Sequence, residues 1–215
     1  MRQGNKRFSG NYYSILLYRL FLAFVTFWLS RLAFYLFNVA YFSHLTFSDV
    51  TGILFYGVRF DLSALIMINS PFIILMALPL PFRNFNWYRW FAGFLFYLGN
   101  FVGLAVNFID VIYFRFTQKR MTADIFTYAE NEGGFLNLLP QFILDFWYMF
   151  LITIICFAGL VYFSRKLKFT KKKRFQGNVT FYGLQTAGFL LTAFLMIIGI
   201  RGGFPHNVSK AGKII

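Results

Sequence analysis

Of the 215 residues, 59% are hydrophobic and 23% aromatic, and only 13% carry a charge, against about 25% in soluble domains. Such a chain has too little polar surface to face water, which excludes a soluble globular domain and points to a membrane protein. The net charge of +14 does not make it a nucleic-acid binder. Half or more of that charge lies in loops between apolar runs, where membrane topology and anionic lipid heads account for it, and no basic soluble domain or binding motif is present.

A hydrocarbon core of about 30 Å takes roughly 20 apolar residues per helix. Runs of that kind extend over about 14–37, 53–80, 88–114, 142–163 and 179–200, and they are apolar on every face, which argues against a membrane barrel. The fold class is therefore an all-α membrane protein. Residues 1–13 form a short polar start, 14–200 a five-helix transmembrane domain, and 201–215 a polar exit. The first run is too long, and lacks the small-residue pattern, for a cleaved signal, so it stays as an anchor. Pro71 and Pro79 fall in the second run, and a bend at Pro71 is expected rather than a break. Cys156 stands alone and reads as a small buried hydrophobe.

Orientation follows from basic residues in short loops. Arg2, Lys6 and Arg7 precede the first run, Arg83 and Arg89 flank the second turn, and seven more lie between Arg165 and Arg174. The opposite loops hold half as many: Arg115, Lys119, Arg120, Arg201, Lys210 and Lys213. The N-terminus is thus expected in the cytoplasm and the C-terminus outside.

Against this apolar background five charges stand within the runs near their outer ends: Arg31, Arg59, Asp61, Asp110 and Asp145. A charge at the bilayer centre costs at least about 2.5 kcal/mol, so pairing is the economical arrangement. Arg59 and Asp61, two apart, point away from each other on one helix. Arg59 is expected to reach Asp110, and Asp61 to reach Arg31 or the "RFTQKR" segment. One reading makes these pairs purely structural, with Arg31 reaching up to lipid phosphates; the other makes them a polar basin for a lipid head group. Asn100 and Asn107 share a face with Asp110, a pattern suited to hydrogen bonds between helices.

The connection to the fourth run begins "FRFTQKRMTADIF", Phe114 to Phe126, mixing Arg115, Lys119 and Arg120 with apolar residues. An interfacial amphipathic helix fits, with Arg120 and Asp124 four apart on its polar face and Arg115 and Lys119 available to phosphate oxygens. The same pattern also suits a surface helix that merely touches lipid heads. No catalytic constellation, Walker loop or metal-ligand spacing is present, and His44 and His206 read as surface residues of outer loops.

At "GVRFDLSAL" (57–65), "NFIDVIYFRFTQKRMTADIF" (107–126) and "IGIRGGF" (198–204) the chain resembles the N-terminal membrane region of bacterial lipoteichoic acid synthase-like phosphoglycerol transferases, in the alkaline phosphatase and sulfatase superfamily. The resemblance implies five spans in the plasma membrane and a downstream extracytoplasmic domain with a threonine nucleophile and a divalent metal, often manganese. It also implies phosphatidylglycerol as the lipid donor. No residue here matches the family's nucleophile or metal ligands, so this segment carries no catalytic residue and no cofactor. The resemblance further implies that Arg59, Asp61, Asp110, Arg115, Arg120 and Arg201 shape the membrane-side wall of a lipid site. The residues by themselves leave two other functions open: a small transporter or channel using the buried Arg and Asp residues, and a structural membrane subunit.

Overall fold

A computed structural model describes residues 8–10, 12–42, 46–80, 83, 85–117, 144–169 and 179–201. Among these, five helices are long and apolar enough to cross a membrane: α1 (Tyr12–Phe37), α2 (Phe47–Ala77), α3 (Asn86–Thr117), α4 (Trp147–Ser164) and α5 (Val179–Ile200). The protein is a multi-pass, all-α membrane protein. The interfacial helix expected after α3, with Lys119, Arg120 and Asp124, lies outside the described residues, as do His44, His206 and the exit beyond Arg201. Two three-residue strands, β1 (Phe8–Gly10) and β2 (Leu167–Phe169), pair in parallel and tie the start of α1 to the end of α4.

Local sequence sets the helix ends. α2 begins at Phe47, six residues before the apolar run suggested, because Thr46 and Asp49 form a capping box: the Thr46 hydroxyl accepts from the Asp49 amide, and the Asp49 carboxylate accepts from the Thr46 amide. It ends at Ala77, since Leu78 precedes Pro79 and takes the extended backbone that a following proline imposes. Pro71 lies inside α2 without breaking it. A proline cannot donate to the carbonyl four residues back, here that of Met67, and the Ser70 hydroxyl bonds that carbonyl at 2.8 Å instead. α4 begins at Trp147, later than the apolar run suggested.

Successive helices run antiparallel, with α1, α2 and α3 at the centre, α4 against α1 and α3, and α5 against α2. Between lipid-facing helices there is no hydrophobic driving force, so close packing and hydrogen bonds hold them. Gly99 and Gly103 supply the close packing. A Cβ on Gly99 would stand 3.2 Å from the Ile68 carbonyl, and one on Gly103 would press on Phe27 at 2.7 Å. Asn69 and Asn100 supply hydrogen bonds between α2 and α3: each amide donates to the other, at 3.3 and 2.7 Å, and to its own helix one turn back. α5 is peripheral, with none of residues 183–200 buried.

The bundle has two unlike ends. One gathers the starts of α1, α3 and α5 with the ends of α2 and α4. It is joined by Tyr12 donating to the Arg83 carbonyl, Arg83 donating to Gln185, and Tyr97 bonded to Ser164. Among the described residues this basic end contains no acid, and the sequence has none in 1–48, 62–109 or 146–215. The other, mixed-charge end holds the described acids Asp49, Asp61, Asp110 and Asp145.

Candidate functional site

At the mixed-charge end the Arg31 guanidinium on α1 meets the Asp61 carboxylate on α2. Nε donates to Oδ2 and Nη2 to Oδ1, both at 2.5 Å. The side chains are 12% and 16% exposed, so this is a bidentate, charge-assisted pair largely withdrawn from solvent. Gly57 makes room for it. One helical turn before Asp61, it lies under the guanidinium, and a Cβ there would fall on the Arg31 nitrogens. "GVRFD" is thus a Gly and an Asp four apart, one giving space to the arginine and the other charge.

The pair lines a cavity of about 20 Å³, room for a single water. Asn107 and Asp110 of α3 line it as well, with Phe27, Ser30 and Phe34 of α1. Arg31, Asp61 and Asp110, from three helices, therefore gather at one depth, and of the two partners expected for Asp61 the structure selects Arg31. The space does not admit a lipid head group. Arg59 stands on the exposed side of α2, outside this cavity.

Arg115 has a defined structural contact: Nη2 donates to the Phe37 carbonyl at 2.7 Å, closing the end of α1, while Tyr41 donates to the Arg115 carbonyl. Arg201 is exposed and continues the last turn of α5 through its amide to Ile197. Asp145 is exposed just before α4. Among the charged residues singled out in the sequence, the structure thus brings together Arg31, Asp61 and Asp110 and leaves Arg59, Arg115, Asp145 and Arg201 outside the cavity. Lys119 and Arg120 are outside the described residues.

Sequence reasoning missed two features. Asn69 completes the amide pair with Asn100, and its signal was a lone amide in an apolar run. Arg19, on α1, is the other. It is 9% exposed, its Nε is buried without a hydrogen-bond partner among the described residues, and its guanidinium lies 5.5–5.9 Å from the ring centres of Phe72, Phe96 and Tyr97. Ring faces can stabilise a desolvated cation by about 2 kcal/mol, but they give its Nε no hydrogen-bond acceptor. Its signal was a basic residue within the first run, with no acid near it in sequence.

Among the described residues no three His, Cys, Asp or Glu side chains come together as metal ligands. The fold and its charges define a multi-pass helical membrane protein with a salt bridge between two of its three central helices. Comparison of the chain with protein-family models, curated proteins and solved structures finds no match.

Proposed function

We propose that this chain is the membrane-anchoring and lipid-presenting domain of an envelope phosphoglycerol or phosphoethanolamine transferase, or of a related sulfatase-like hydrolase. In this reading it lies in a bacterial plasma membrane with its N-terminus in the cytoplasm. The catalytic domain, with its own metal site, is carried by chain beyond residue 215, and the partners are that domain and membrane phospholipid.

The observation that carries the reading is the closed Arg31–Asp61 pair over Gly57. It gives the "GVRFDLSAL" block, on which the family resemblance begins, the work of an anchor: locking α1 to α2. A cavity that holds one water beside this pair favours a scaffold over an ion path.

The test is to express the whole reading frame and reconstitute it with phosphatidylglycerol in manganese-containing buffer. The full frame is expected to release diacylglycerol as phosphoglycerol passes to an acceptor hydroxyl, and residues 1–215 alone are not. A frame that stops at codon 215, or a full-length protein that releases no diacylglycerol from phosphatidylglycerol or, in a parallel reconstitution, from phosphatidylethanolamine, and hydrolyses no phosphate or sulfate ester, overturns the reading; ion flux through the wild-type protein in liposomes would replace it with the transporter.

A further inference from the structure

A groove of about 430 Å³ opens at the basic end between α3 and α4, with Arg19 of α1 lining it, within the size range of small-ligand sites. Three guanidinium side chains line it from three helices: Arg19, Arg89 near the start of α3, and Arg165 at the end of α4. The Arg19 guanidinium reaches the groove beside Gly93, where an added Cβ would lie 3.9 Å from Nη1. Below the arginines the wall is one face of α3. Trp90, Phe94, Leu98 and Phe101 recur at helical spacing, the first two rings stacked at 5.7 Å, and Phe157 of α4 closes on Phe101 at 5.1 Å. From Arg89 to Phe101 the wall runs about 18 Å along the helix axis.

We propose that this groove holds an anionic membrane phospholipid, its phosphate among Arg19, Arg89 and Arg165 and an acyl chain along the aromatic face of α3. Arg19 carries the argument. It is more than nine-tenths buried, has a buried Nε with no hydrogen-bond partner among the described residues, and lines the groove. A guanidinium inside a membrane protein requires an anion, hydrogen-bond acceptors or water. Among the described residues the protein supplies no anion here, because the described acids, Asp49, Asp61, Asp110 and Asp145, all stand at the other end. A phosphodiester supplies what is missing, and arginine matches its oxygens in a fork. The same lack of acids favours an anionic lipid over a zwitterionic one, whose ammonium would meet only arginines. The elongated apolar wall favours a lipid over free phosphate. The inference rests on the geometry of the basic end alone and not on the transferase reading.

The purified full chain, delipidated in neutral detergent, is to be followed by native mass spectrometry and thermal unfolding with four probes. These are phosphatidylglycerol and phosphatidylcholine of equal chain length, glycerol phosphate and inorganic phosphate. One phosphatidylglycerol per chain is expected to bind and raise Tm, with phosphatidylcholine and the two soluble phosphates at least ten-fold weaker. Arg19→Met removes the unsatisfied charge and should raise Tm without lipid while weakening phosphatidylglycerol at least ten-fold. Gly93→Leu fills the groove while keeping all three arginines, and should weaken it equally in a folded protein. Equal binding of the two lipids, wild-type binding by both variants, or full replacement by inorganic phosphate overturns the proposal.

Discussion

The two ends of the bundle treat a buried arginine in opposite ways. At the mixed-charge end Arg31 has its carboxylate within the protein, bidentate to Asp61, with Gly57 clearing space and a cavity for one water beside it. At the basic end Arg19 is as deeply withdrawn but has aromatic faces in place of an anion, and it lines a groove some twenty times larger. A charge neutralised inside the protein locks helices together. One that the fold buries with neither an anion nor an acceptor for its Nε looks outward for its partner, and in a membrane the abundant partner is a lipid phosphate.

The largest effect is expected at Arg31. Arg31→Met strands the Asp61 carboxylate, and loss of one member of a buried pair costs about 3–5 kcal/mol. Arg31→Met with Asp61→Leu should recover most of that loss, measured by equilibrium unfolding in mixed micelles. If the double variant is no better than the single, the pair is not an isolated clamp.

Arg83 sharpens the contrast within the basic end, because it is buried there yet satisfied. It donates to Gln185 at 2.8 Å and lies 4.2 Å from the Tyr12 ring centre. Arg83→Met should therefore destabilise by about 1.5–3 kcal/mol, opposite in sign to Arg19→Met. The same sign for both, in the same unfolding assay, would show that position at the basic end decides the effect and not the missing partner. Gly57→Ala should cost about 1–3 kcal/mol, the usual range for overpacking. That cost should fall when Arg31 is Met, because the added methyl then meets no guanidinium; an unchanged cost would place the strain in α2 itself.

Much of this was legible in the chain. The five spans followed from apolar run length. The gathering of Arg31, Asp61 and Asp110 at one depth followed from counting residues to the ends of those runs. The capping box at Thr46 and Asp49 is written in the sequence but lies outside the apolar run, so run length alone starts α2 six residues late. Arg19 was harder to read, because a cation one or two turns inside a span looks in sequence like one that reaches back to the surface. Only its neighbours, Phe72 on α2 and Phe96 and Tyr97 on α3, show that it is enclosed.

The sequence by itself determined the number of spans and the charges placed within them, because transfer into lipid sums locally along the chain. The tertiary structure alone decided that Asp61 meets Arg31, that Asn69 meets Asn100, and that Arg19 lines an open groove. Such meetings depend on how each helix is rotated and shifted against its neighbour. Here that register is set by close approaches at Gly57, Gly99 and Gly103, which no run of apolar residues reveals.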